Sequence, residues 1–79
     1  MSDTDSSGSL ERYLGNTIRD LRQKHGLTIA DVASLAGISR GMLSKIENAQ
    51  TATSLDTLSR LAGALGVSIA TLFRGYDVR

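Results

Sequence analysis

Apolar residues along this chain fall in stripes of helical period, separated by short polar breaks, and nowhere settle into a sustained period of two. Leu10, Leu14, Ile18 and Leu21 recur at steps of four, four and three residues, which lines one face of a helix. Ser9 offers that helix an N-cap and Gly26 a stop. Thr28 then presents a side-chain oxygen to the amide of Asp31, whose carboxylate reaches back as a short capping box, and Leu27 with Val32 forms a hydrophobic staple. The spacing predicts a second helix with Ile29, Val32, Ala33 and Ala36 inward and Gly37 as its left-handed end. Ile38 and Leu43 form a second staple around Ser39, the cap of a third helix that runs to about Asn48 with Met42, Leu43 and Ile46 inward. Ser54 caps a fourth, whose stripe of Leu55, Leu58, Leu61, Ala62 and Leu65 ends at Gly66. Val67, Ser68 and Leu72 repeat the same grammar and open a short fifth helix through about Phe73. With no proline in the chain, the pattern predicts an all-α, compact five-helix domain.

Length and composition narrow the function. Seventy-nine residues make one domain at most. Hydrophobic residues are 41% and charged residues 22%, with Tyr13, Phe73 and Tyr76 the only aromatics, so the core is aliphatic. Met1 to Gly8 is built from Ser, Asp, Thr and Gly after its first residue and cannot bury enough surface to offset ordering entropy. The expected division is a disordered tail over 1–8, the helical domain over 9–74, and a C-terminal end or linker start over 75–79. There is no cysteine and one histidine, which excludes a disulfide framework, a Cys/His zinc site and a cysteine nucleophile. His25 closes the first helix as a surface cation, and with no paired-carboxylate site or phosphate loop the chain is expected to be no enzyme and to carry no cofactor. The start is acidic and Ser-rich where a signal peptide is basic and then apolar, and no apolar run approaches the roughly 20 residues of a membrane span, so a cytoplasmic protein is expected. Net charge is +1, but over residues 9–79 nine basic residues face six acidic ones, a bias compatible with nucleic acid.

Helices two and three are joined only by Ala36, Gly37, Ile38 and Ser39, too short a link for anything but an angled pair, with Ala33 small enough to admit close approach and Gly37 free to take positive φ. With Met42, Leu43 and Ile46 inward, Arg40, Gly41, Ser44, Lys45 and Asn48 share the outward face of helix three. The chain resembles the phage-repressor type of helix-turn-helix, the Cro-like or xenobiotic-response-element family. The matching residues are Ile18-Arg19-Asp20-Leu21-Arg22, Gly26-Leu27-Thr28, Val32-Ala33, Ala36-Gly37-Ile38-Ser39 and Leu43-Ser44-Lys45-Ile46-Glu47-Asn48. Ser54-Leu55-Asp56-Thr57-Leu58, Leu61-Ala62 and Ala64-Leu65-Gly66-Val67 complete it, so the resemblance covers residues 10–74. Ile29, Ala49 and Thr53 depart from it, standing where the family often has glutamine, glycine and proline.

The resemblance implies a transcription regulator, a repressor, that binds double-stranded DNA as a homodimer with helix three in the major groove. Arg40, Gly41, Ser44 and Lys45 would face base edges. Thr28 and Ser39 mark helix starts that attract phosphate, and Asn48, Gln50 and Thr51 correspond to positions at the sugar-phosphate backbone. Arg22 and Glu47 resemble a structural ion pair between helices one and three. The run Met42 to Glu47 resembles regulators with a C-terminal cupin sensor domain, which implies a longer natural chain. The rival expectation, from a different class, is an antitoxin-like or adaptor module that binds a protein.

Overall fold

The computed structural model describes the backbone of residues 3–76 and the side chains of residues 8–76. Five helices follow one another: α1 Asp3–Lys24, α2 Ile29–Ala36, α3 Arg40–Glu47, α4 Leu55–Leu65 and α5 Ile69–Phe73. No strand occurs among the described residues. The starts of α2, α3, α4 and α5 are the side-chain caps Thr28, Ser39, Ser54 and Ser68, each accepting the amide three residues on. Such a cap satisfies one of the four amides that a helix start leaves without an intrahelical partner.

The ends of α1 to α4 share one motif as well. After α1, α2 and α4 a glycine takes the left-handed region, at Gly26, Gly37 and Gly66, and the next residue's amide bonds five residues back, as Ile38 does to the Ala33 carbonyl at 3.0 Å. The end of α3 closes in the same way through Gln50 to Lys45 at 2.8 Å, but the left-handed position there is held by Ala49, at φ +57°.

The core is made by Leu14, Ile18, Val32, Ala33, Ala36, Leu43, Ile46, Leu58, Leu61, Ala62, Leu65 and Leu72. Leu10, Leu21, Ile29 and Phe73 pack on its edge, partly buried. Gly15 is buried where α1 crosses the end of α3: a Cβ there would stand 2.5 Å from the Ile46 carbonyl oxygen and 2.8 Å from that of Glu47. At the far end Tyr13 donates its hydroxyl proton to the Arg74 carbonyl, and its ring lies 5.2 Å from that of Tyr76.

Three expectations are corrected. α1 begins at Asp3, so Ser9 lies inside the helix and Asp3 to Gly8 are helical where a disordered tail was expected. Once packed turns downstream have set the nucleus, each added turn costs little; at Gly8 nothing lies within 4 Å of a Cβ built on the backbone. Met1 and Ser2 lie outside the described residues. Met42 is 44% exposed and Leu55 68% exposed, where both were expected inward. Met42 sits about 100° around the helix from Leu43, and α3 is held on the core by Leu43, Ile46 and Glu47, which leaves Met42 at its flank. Leu55 occupies the first position of α4, a turn before the buried run that begins at Leu58. In the segment expected to be the C-terminal end or the start of a linker, the Tyr76 ring packs at a tilt against that of Tyr13; residues 77–79 lie outside the described residues.

Candidate nucleic-acid interface

Three residues connect α2 to α3, and each has a local physical task. Gly37 turns the chain at φ +72°, Ile38 packs against the core, and Ser39 accepts the Met42 amide at 3.0 Å to start α3. α3 is then pinned from behind, with Leu43 and Ile46 inward and Glu47 only 3% exposed.

A buried carboxylate costs several kcal/mol in desolvation unless it is paired. Arg22 of α1 meets Glu47 in a two-pronged contact, Nε to Oε2 at 2.7 Å and Nη2 to Oε1 at 3.0 Å, and its third nitrogen donates to the Leu27 carbonyl at 3.0 Å. The hydrogen bond to Glu47 holds the Arg22 guanidinium above its ordinary pKa, against the opposing effect of burial. One side chain thus ties α1, the α1–α2 turn and the end of α3 together. Arg19 joins from the same face of α1, its Nε 3.5 Å from Glu47 Oε1 and its Nη2 donating to Asn48 Oδ1 at 2.8 Å. Neither Arg19 nor Gly15 was singled out from the sequence as part of this junction. The signal for Arg19 was its place three residues before Arg22, one turn away on the same face; for Gly15 it was a glycine in a helix interior, which costs about 1 kcal/mol unless something needs the space.

On the outward face, Arg40, Gly41, Lys45 and Asn48 are exposed and Ser44 is half-buried. Arg40 and Lys45 make no ion pair among the described residues, so both cations are available to an external partner. A Cβ on Gly41 would meet nothing within 4 Å; the glycine is not required by the domain's own packing and leaves a shallow place between two cations.

The residues expected at a sugar-phosphate backbone are differently engaged. Thr28 spends both its groups on the capping box: Oγ1 accepts the Asp31 amide at 3.0 Å, and its own amide donates to the Asp31 carboxylate at 2.9 Å. Those bonds hold the exposed Asp31 carboxyl below its usual pKa and place a negative charge at the start of α2. The first turn of α3 has no acidic residue, so the positive end of its dipole at Ser39 is uncompensated and attracts an anion more strongly. Asn48 is used within the fold, accepting from Arg19 and donating from Nδ2 to the Ser44 carbonyl at 2.8 Å. Thr51 donates its hydroxyl to the Ala52 carbonyl at 3.2 Å. The Gln50 amide is taken by Lys45, and its side chain is exposed.

A short helix with an open polar face, held through its back by aliphatic packing and one buried ion pair and entered by a three-residue turn, defines a helix-turn-helix domain. The helix-turn-helix family pattern matches residues 18–72, and the chain belongs to that family. It is 40% identical over 60 residues to the HTH-type transcriptional regulator DdrOP3 of Deinococcus deserti, a match over 76% of this chain and 46% of that protein. Over 59 residues it is 36% identical to the immunity repressor protein of Bacillus phage phi105, a match over 75% of this chain and 41% of the relative. The chain therefore spans less than half the length of either relative. Among solved structures, the restriction-modification controller protein C.AhdI from Aeromonas hydrophila superposes with a TM-score of 0.78 at 32% identity, covering 80% of this chain and 96% of that one. No helix among the described residues is long and apolar enough to cross a membrane.

Proposed function

We propose that this domain binds double-stranded DNA sequence-specifically as part of a transcription regulator, a repressor, acting as a homodimer on a two-fold-related operator. The observation that carries the reading is the outward face of α3, where Arg40 and Lys45 stand on either side of Gly41 and make no ion pair among the described residues. The major groove is wide enough to admit a helix, and a guanine edge there offers two acceptors to an arginine or lysine. Arg40 and Lys45 read base edges, Ser44 pairs with a donor or an acceptor, and Gly41 lets the helix approach closely. Ser39, with the first amides of α3, takes a phosphate; Thr28, Asn48, Gln50 and Thr51 line the backbone path, with Gln50 the side chain least committed within the fold. Two recognition helices in successive major grooves require half-sites about 34 Å apart. The names of the relatives support the regulatory reading, and their greater length leaves room for a C-terminal sensor domain in a longer chain.

Selection of binding sites from a random duplex library at moderate salt, followed by sequencing of the retained pool, tests this. A two-fold-symmetric enriched motif is expected; no enrichment by the folded protein overturns the reading. The rival, a module that binds a protein partner, is favoured by Leu55 and by Leu35, 66% exposed on α2. It predicts partner binding that resists salt, whereas binding through phosphates weakens steeply with it.

A further inference from the structure

A second basic feature lies beside the α3 face, on a helix outside the helix-turn-helix itself. Arg12, Asn16 and Arg19 are spaced by four and three residues on α1, which stacks them along one line of the helix. Together with Glu47, Asn48 and Ala49 they line an open depression of about 210 Å³ where α1 passes the end of α3. The only carboxylate in it is already matched: Glu47 is bonded twice by Arg22, so the charge of Arg19 is in surplus. Arg19 keeps 37% of its side chain exposed. Arg12 is exposed and makes no ion pair among the described residues.

This depression is continuous with the recognition face. Asn48 lies one turn beyond Lys45 on the outward side of α3, and its Oδ1 receives Arg19 at 2.8 Å. By contrast, the loop that follows α3, residues 49–53, reads Ala-Gln-Thr-Ala-Thr and contains no cation. Any duplex strand running past the end of α3 meets no positive charge from that loop, and the arginines bordering it belong to α1.

We propose that Arg12, Asn16 and Arg19 form a second phosphate-binding site for duplex DNA, which holds the strand that flanks the base pairs beneath α3. Arg12 and Arg19 are separated by about 10 Å along the helix axis at roughly 1.5 Å per residue, so they address different phosphates of one strand. Asn16 supplies an uncharged donor between them. The site rests on the DNA-binding reading above and adds affinity without sequence preference, because phosphates carry none.

The test measures affinity against salt for Arg12→Gln, Arg19→Gln and the double variant, on a selected operator and on an unrelated duplex. Each arginine in phosphate contact contributes about 0.9 to the slope of log affinity against log salt. The expected result is a slope smaller by about 0.9 for Arg12→Gln and about 1.8 for the double variant, equally on both duplexes. Arg60→Gln, which removes a charge already paired with Asp56 on α4, is expected to leave the slope unchanged. Arg12 takes no part in the junction with Glu47, so its variant reports on the site even if Arg19→Gln disturbs folding. A parent slope that Arg12→Gln does not move, or that Arg60→Gln lowers as much, overturns this site alone. Absence of duplex binding by the unaltered protein overturns the underlying reading and this site with it.

Discussion

At Ala49 an L-residue holds a left-handed backbone, φ +57°, in the position that glycine fills after α1, α2 and α4. That conformation crowds Cβ against the neighbouring carbonyl by about 1–2 kcal/mol, which glycine escapes at some cost in unfolded-state entropy. Ala49→Gly is therefore expected to stabilise the fold by about 0.5–1 kcal/mol in urea unfolding. Arg22 presents the opposite case. Its removal leaves the buried Glu47 carboxylate with only the more distant Arg19, and Arg22→Ala is expected to cost about 3 kcal/mol. That is a large share of the marginal stability of a domain this size, so the variant should melt at a markedly lower temperature than the unaltered protein. Asp31 adds a pH dependence. Because bonding to Thr28 lowers its folded pKa, its contribution is fully present above the ordinary carboxylate pKa and is lost as pH falls through the lower folded value. Melting temperatures of the unaltered protein and of Asp31→Asn should therefore converge as pH drops below the usual 3.8.

Between elements, the decisive contact is the crossing of α1 over the end of α3, made possible by Gly15. Any Cβ there would press on the backbone oxygens of Ile46 and Glu47, and backbone cannot rotate away as a side chain can. Gly15→Ala is expected to cost about 1–3 kcal/mol, by displacing α3 relative to α1 and stretching the Arg22–Glu47 bonds. Circular dichroism should still show helix, while urea unfolding shifts to lower denaturant. The helix boundaries themselves were largely legible beforehand, because a cap is an interaction between residues three apart and needs no knowledge of the rest of the chain. Thr28 with Asp31 and Ser39 with the Met42 amide are read from spacing alone. The start of α1 was not, since Ser9 has the chemistry of a cap but lies in a helix that continues through it.

For the molecule as a whole, two faces define what it can do. One is the polar face of α3 with the arginines of α1 beside it; the other is a groove of about 300 Å³ bordered by Leu10, Leu14, Leu55, Leu58 and Phe73. If α3 reads bases, the double variant Arg40→Ala/Lys45→Ala should lose about 1–3 kcal/mol per residue of operator affinity and relax preference at one or two base pairs, with melting unchanged. Competition between operator and scrambled duplex measures this, and an unaltered operator preference would sink the assignment. The outward direction of Arg40 and Lys45 was legible because the apolar residues Leu43 and Ile46 leave them one side of a short helix. The engagement of Asn48 and Thr51 within the fold was not, because their partners are set by where α1 and the loop come to rest.

The sequence alone determined the order of the five helices, the caps of α2 to α5 and the glycine ends of α1, α2 and α4, which depend on residues a few positions apart, and the family, which rests on many positions at fixed spacing. Tertiary structure decided what depends on distant segments meeting: that Met42 and Leu55 face solvent, that Gly15 is a crossing point, and that Arg19 reaches across from α1 to Asn48. Spacing along one helix states which residues share a face, but the packing of other helices decides which part of that face is covered.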